Sequence, residues 1–284
     1  MGDFNIFHHI PWSASYSIYF FVIGISAALF FFSTLSWFGE VFAPVRMRAF
    51  LASFVLLGAG GLLLIGDLSQ PTRFVNVLNP MYLNFTSPLA WGSLNLMSFG
   101  LVSVLYFFAM AAENPMAKAL GVIGSLLALG LPVYTGFDLT VHQNRPVWNT
   151  PLMPVLFVAM SLVSGAAVAT FLANGHERLL SWLRTIMLWS GGATAVMLIS
   201  LLGTTAYGGV GQELTFMLLT TGQLGAIFLG LGIAAGLALP IFLLLVPAGR
   251  SGGGLMAASL LLLVGGMALR YSILVGGQIV QTYF

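Results

Sequence analysis

Eight long apolar runs, separated by short polar or glycine-rich stretches, account for most of the 284-residue chain. They fall at about residues 13–38, 47–66, 88–112, 117–138, 152–174, 180–206, 214–246 and 254–280. A helix of about 20 apolar residues crosses a hydrocarbon core of about 30 Å, whereas strands of a membrane barrel alternate in character over about 10 residues. The pattern predicts an all-α integral membrane protein with eight transmembrane helices, the even number putting both termini on one side of the bilayer. The seventh run, about 33 residues with Pro240 near its end, exceeds one crossing and is expected to tilt, kink or project. Glycine clusters such as Gly58-Ala59-Gly60-Gly61, Gly191-Gly192, Gly265-Gly266 and Gly276-Gly277 let helices approach closely, because lipid gives little hydrophobic drive between them.

Composition agrees with that pattern. Hydrophobic residues make up 59 % of the chain and charged residues 6 %, a balance foreign to soluble domains. Nine Lys and Arg against seven Asp and Glu are too few and too scattered for a nucleic-acid partner. Without Cys the chain makes no disulfide, no thiolate zinc site and no iron–sulfur cluster of its own. The opening MGDFNIFHHIPW has neither a basic region nor a small-residue cleavage site, so the first run is expected to stay as a span. Arg46, Arg48, Lys118, Arg178, Arg184 and Arg250 fall after spans 1, 3, 5 and 7, whereas Arg73 and Arg145 fall after spans 2 and 4. By the positive-inside rule the first set faces the cytoplasm, and both termini face the outer, periplasmic side.

That outer side is where the polar residues gather. The connection after span 2 holds Asp67, Gln70, Arg73, Asn76, Asn79, Tyr82 and Asn84, and the stretch from 134 to 154 reads YTGFDLTVHQNRPVWNTPLMP. If span 4 continues as a helix, Tyr134, Asp138 and His142 at i, i+4 and i+8 share one face. A phenol, a carboxylate and an imidazole in a column can bind a polar ring and move its protons. A helix end followed by a Pro-bounded loop would read the same way.

Four chemistries compete for these residues. Haem needs paired mid-helix histidines, but His8, His9, His142 and His176 all fall in loops or before span 1. Asp138 and His142 are two metal ligands without a third, so a hydrogen-bonded pair is expected instead and no metal. A transport path would place acids near the midplane, whereas Glu40, Glu113, Glu177, Asp67, Asp138 and Glu213 sit at span ends. A quinone wants apolar walls, a few donors for its two oxygens and one acid or base that reaches solvent. Tyr16 and Tyr19 on the first turns of span 1, Tyr134, and Arg270 with Gln278 in span 8 supply that set, although an interfacial aromatic belt also explains the two tyrosines of span 1. Arg270 lies within the hydrocarbon band and is expected to pair with Asp67 or Asp138.

Three separated motifs resemble one family. LLIGDLSQPTRF at the end of span 2 is similar to the Asp-Leu…Pro…Arg signature of NrfD/PsrC membrane subunits of polysulfide-reductase-type complexes. YTGFDLTVHQNRPVWNTPLMPVLF followed by SLVSGAA resembles the family's Tyr-Thr-Gly…Pro-Trp-Asn-Thr-Pro segment, and LRYSILVGGQ its Arg-Tyr…Gly-Gln ending. The resemblance implies a single transmembrane domain over residues 1–284, built as two four-helix bundles in the bacterial cytoplasmic (inner) membrane. It further implies menaquinone or ubiquinone near the outer face, a four-cluster ferredoxin-like iron–sulfur subunit on the outer loops and a molybdopterin catalytic subunit beyond it. Family members use a Tyr at the position of Tyr134 as a quinone ligand. Where they carry polar ligands including a His on helix 1, this chain reads SASYSIYFF, so Tyr16 and Tyr19 stand in; Asp138 replaces an expected apolar residue.

Asp138, His142 and Asp67 are thus expected to move protons, and Tyr134, Tyr16, Tyr19, Arg270, Gln278 and Arg145 to hold the quinone between spans 1, 2, 4 and 8. A secondary transporter, a quinone-driven proton-translocating module and a structural anchor are the other readings.

Overall fold

The computed structural model describes residues 12, 14–67, 71–72, 76 and 79–281. His8, His9, Gln70 and Arg73 lie outside the described residues. Every regular element among the described residues is helical, and eight helices are long and apolar enough to cross a membrane. They are α1 (Ala14–Leu35), α2 (Arg46–Gly66), α3 (Pro88–Ala111), α4 (Met116–Thr140), α5 (Leu152–Leu172), α6 (Glu177–Ala206), the segment that ends in α8 (Leu239–Leu245), and α9 (Gly252–Ile279). The short α7 (Val210–Thr220) precedes that seventh crossing.

Local sequence sets several boundaries. Pro88 occupies the first turn of α3, where its missing N–H leaves no carbonyl unmatched. After α5, Asn174 and Gly175 take left-handed backbone at φ 48° and 77°, which ends the helix and turns the chain toward α6. Ser251 caps α9 by accepting from the Gly254 N–H at 3.2 Å.

The seventh run is longer than one crossing, as expected, and is not one continuous helix. It breaks between Thr220 and Ala226, around Gly222 and Gly225, so that α7 stands apart from the crossing. The crossing then starts wide-wound as a π-helix over Ala226–Ala238, with the Leu239 N–H reaching back five residues to Ala234. Such winding usually appears as single-turn bulges, and here it continues for 13 residues. It brings Gly236 against the backbone of α9, where a Cβ would lie 2.1 Å from the Gly265 Cα. Backbone cannot yield as a side chain can, so Gly236→Val is expected to destabilise the purified chain by about 2 kcal/mol or more, read from unfolding in mild detergent.

α1 and α5 are the most buried crossings and sit at the centre. α1 packs on α2, α4, α5 and α9; α5 packs on α1, α4, α6 and α9; α2 and α3 scarcely meet. The two central helices cross closely, a Cβ at Gly165 falling 2.2 Å from that of Ala28.

Four arginines cap the carboxyl ends of other helices. Arg46 Nη2 donates to Ser36 O just past α1 at 3.1 Å, and Arg48 Nη1 to Leu172 O at the end of α5 at 2.8 Å. Arg184 donates Nε to Leu244 O of α8 at 2.7 Å, and Arg145 donates Nη1 to Gly277 O of α9 at 2.7 Å. Each meets carbonyls left over at a helix end and the negative pole of the helix dipole.

Candidate functional site

Two helices build a polar cluster at one end of the bundle. α1 contributes Tyr16 and Tyr19, and α4 brings Tyr134 and Asp138 one turn apart on a common face. Asp138 is 6 % exposed and makes no hydrogen bond to any described residue. The buried Tyr19 hydroxyl likewise has no partner among the described residues. The Asp138 carboxyl lies within electrostatic reach of Tyr16, Tyr19 and Tyr134. Asp67, just past α2, accepts from Ser15 Oγ at 2.8 Å and lies within reach of Tyr16. A carboxyl and a phenol held together without bonds, inside an apolar bundle, are costly unless something else uses them.

His142 stands outside this column. α4 ends at Thr140, so the shared face stops at Asp138, and the expected Asp138–His142 hydrogen bond does not form. The chain turns there instead, and the imidazole packs edge-on to Trp12 and tilted against Trp148, ring centres 5.4 and 5.5 Å away. Burial, with the nearby Arg145 cation, holds the His142 pKa below its ordinary 6.5 and leaves the ring neutral at neutral pH. The folded chain then binds fewer protons here than the unfolded chain, so stability is full above pH 6.5 and falls as pH drops through the lowered folded value. His142→Gln is expected to flatten that acid-side loss, measured as unfolding temperature against pH.

Arg145, Trp148 and Gln278 bind the loop after α4 to the end of α9. Arg145 is fully buried and bonds Gly277 O and Gln278 O at 2.7 and 3.1 Å. Trp148 Nε1 donates to Ile273 O at 2.8 Å, and its ring rests on Gly277, where a Cβ would fall 2.1 Å away. Gln278 Nε2 donates to Trp12 O at 2.8 Å.

Arg270 lies deeper, about 13 Å below the end of α9 at the helical rise of about 1.5 Å per residue. The expected carboxylate partner is absent among the described residues: Nη1 donates to Gly266 O at 3.0 Å and Nη2 to Ser161 Oγ at 3.2 Å. Phe21 and Phe157 face its guanidinium at 5.4 and 5.9 Å. Asp67, just past α2, and Asp138, in the last turn of α4, stand at the helix ends instead.

The structure adds residues that the pattern of the chain does not single out. A Cβ at Gly92 would lie 2.0 Å from Tyr134 Cε2, so α3 seats the tyrosine ring, although span 3 is not among the expected walls. A cavity of about 430 Å³ opens there between α3 and α4, lined by Tyr134, Trp91, Asn95, Gly130 and Phe137. A second, of about 590 Å³, lies between α4 and α5, with Phe137, Thr140, Asn149 and Pro154 in its wall. Trp12 stacks on Tyr16 at 5.4 Å and touches both His142 and Trp148, joining the two halves of the cluster. The sequence signal for α3 is only Trp91-Gly92 with Asn95 three positions on, which any interfacial helix can carry.

Comparison with known proteins covers nearly the whole chain. A family model described as polysulphide reductase, NrfD, matches residues 4–281. The sequence is similar to one of the chains of the polysulfide reductase of Wolinella succinogenes, 30 % identical across 98 % of this chain and 97 % of that protein. It is also similar to protein NrfD of Escherichia coli, 28 % identical over 96 % of each chain. One of the subunits of the tetrathionate reductase of Salmonella typhimurium is 29 % identical over 54 % of this chain and 46 % of its own.

Proposed function

Because this chain belongs to the polysulphide reductase NrfD family, we propose that it is the quinone-binding membrane subunit of its reductase complex, exchanging electrons with an iron–sulfur subunit. It is a multi-pass protein of the bacterial inner membrane. The observation that carries the reading is the buried Asp138 carboxyl without a hydrogen bond, beside the unbonded Tyr19 hydroxyl and Tyr134. These groups fit a quinone head: two phenols to donate to ring oxygens and a carboxyl to exchange a proton. When bound, a quinol supplies two electrons and two protons. Tyr134 would hold one ring oxygen from its seat on Gly92, and the cavity between α3 and α4 would admit the ring and tail from the bilayer. Asp138 would take a proton, and half-exposed, neutral His142 would pass protons onward to the outer aqueous side. Arg145 and Gln278 would act by holding the loop of His142 against α9, and Asp67 would act at the rim of Tyr16.

The proposed assembly puts both termini and this site on the periplasmic side, with the helices in two four-helix bundles. A four-cluster ferredoxin-like partner would dock over the connection between α2 and α3, where Met81 and Tyr82 are 91 % and 69 % exposed, and would pass electrons to a molybdopterin catalytic subunit. The names of two relatives favour reduction of a sulfur compound by that partner, and a third relative belongs to a selenate reductase. The test is gentle solubilisation of the native complex, identification of its subunits and extraction of bound menaquinone or ubiquinone by mass. A stoichiometric quinone with both partners is expected, and a lone chain without quinone would overturn the reading.

One observation favours a proton-translocating variant. Ser26 and Ser53 donate to each other's carbonyls at 2.8 and 2.7 Å, and Ser33 pairs with the Tyr106 hydroxyl at 3.3 Å, giving hydroxyl groups along the first helices below Tyr19. Quinone-dependent proton flux by the reconstituted complex would select it.

A further inference from the structure

The end of the bundle opposite Asp138 carries a cavity that the proposed redox site leaves unused. It measures about 620 Å³ and lies between the first turns of α6 and α9, which scarcely touch. Glu177, Leu180, Ser181 and Arg184 line it from one face of α6, at i, i+3, i+4 and i+7; Arg250 and Leu255 line it from the other side.

Its charges are not spent on one another. Arg184 is held by Leu244 O through Nε and Nη2, which leaves Nη1 without a hydrogen bond to any described residue. Arg250 is exposed and makes no hydrogen bond or ion pair with any described residue, and Glu177 pairs with neither arginine. Two guanidinium groups and one carboxylate leave a net single positive charge around one cavity, the complement of a single phosphodiester. Guanidinium is suited to phosphate oxygens by its planar fork. The Gly252 and Gly253 amides of the first turn of α9 add donors that the helix itself does not use.

Depth identifies the source of that phosphate. Trp182, two residues before Arg184 in sequence and 52 % exposed, lies off the cavity face of α6, and an exposed tryptophan near the end of a membrane-crossing helix marks the head-group level. A basic cavity between transmembrane helices at that level meets phospholipid head groups first. We infer that this cavity binds the phosphate of a membrane phospholipid, held by Arg184 and Arg250, as a lipid that bridges α6 and α9.

The test uses the complex purified from its own membranes. Native mass spectrometry after washing with excess detergent counts the phospholipids that remain, and a photoactivatable phospholipid locates them. Wild type is expected to keep one phospholipid that Arg250→Gln keeps about tenfold less well, the size of one charge-assisted contact, with Arg250→Lys between the two because it keeps the charge but not the fork. Arg250→Gln leaves the Arg184 cap on α8 in place, so weaker retention cannot be assigned to a lost cap. Crosslinks are expected in peptides spanning 175–184 and 249–255. Equal retention by wild type and Arg250→Gln, or crosslinks confined to other peptides, would overturn the inference. Displacement of the lipid by millimolar inorganic phosphate would also overturn it, by assigning the cavity to a soluble anion.

Discussion

Asp138→Asn is expected to lower quinol-linked electron transfer by about 10²-fold or more, the range for removing a positioned acid or base. The amide keeps the shape of the carboxyl and can still accept a hydrogen bond, but it cannot take a proton as a ring oxygen releases one. The side chain is buried and makes no hydrogen bond to described residues, so its replacement breaks none of their contacts. Subunit composition and unfolding temperature should therefore match wild type while turnover with a quinol analogue collapses. Electron transfer from a soluble donor directly to the catalytic partner should be unchanged, which separates a proton role from damage to the complex. Tyr134→Phe should act mainly on quinol affinity, because the ring keeps its seat on Gly92 and only the hydroxyl is lost. Wild-type turnover in Asp138→Asn would remove the carboxyl from the mechanism.

Arg145→Met carries the second large effect, and it falls on stability. The guanidinium is fully buried, and its bonds to Gly277 O and Gln278 O close the end of α9. Methionine fills most of the volume but leaves those carbonyls without their donor, at about 1–3 kcal/mol for each buried group left unmatched. A loss of about 3 kcal/mol in detergent unfolding is expected, along with earlier proteolysis of the loop that holds His142. Arginine contacts with a quinone head would instead show as weaker quinol binding at unchanged stability. The two outcomes distinguish a residue that positions the site from one that touches its ligand.

Much of this protein is legible along the chain. The number of crossings, their approximate limits and the two polar connections follow from run length and composition, because a bilayer imposes one length and one solvent on every span. The four-residue spacing of Tyr134 and Asp138 is readable for the same reason, since a helix inside lipid has no other way to satisfy its backbone. The family resemblance rests on three motifs, and the family model spans residues 4–281.

Other features depend on where helices meet. The break before Ala226 and the wide winding after it are not readable from an apolar run, because hydropathy records where a segment lies and not which carbonyl each amide chooses. The end of α4 at Thr140 takes His142 out of the column that its spacing promised and puts it between two tryptophans. Arg270 in an apolar span calls for an acid, yet carbonyl and hydroxyl oxygens from α9 and α5 satisfy part of its donor set. Gly92 is one glycine among 34 until Tyr134 lies against it. The sequence itself determined how often this protein crosses the membrane and which polar residues it carries there. Tertiary structure decided which of them face one another, because side-chain partners come from helices distant in sequence, and periodicity within one helix is blind to its neighbours.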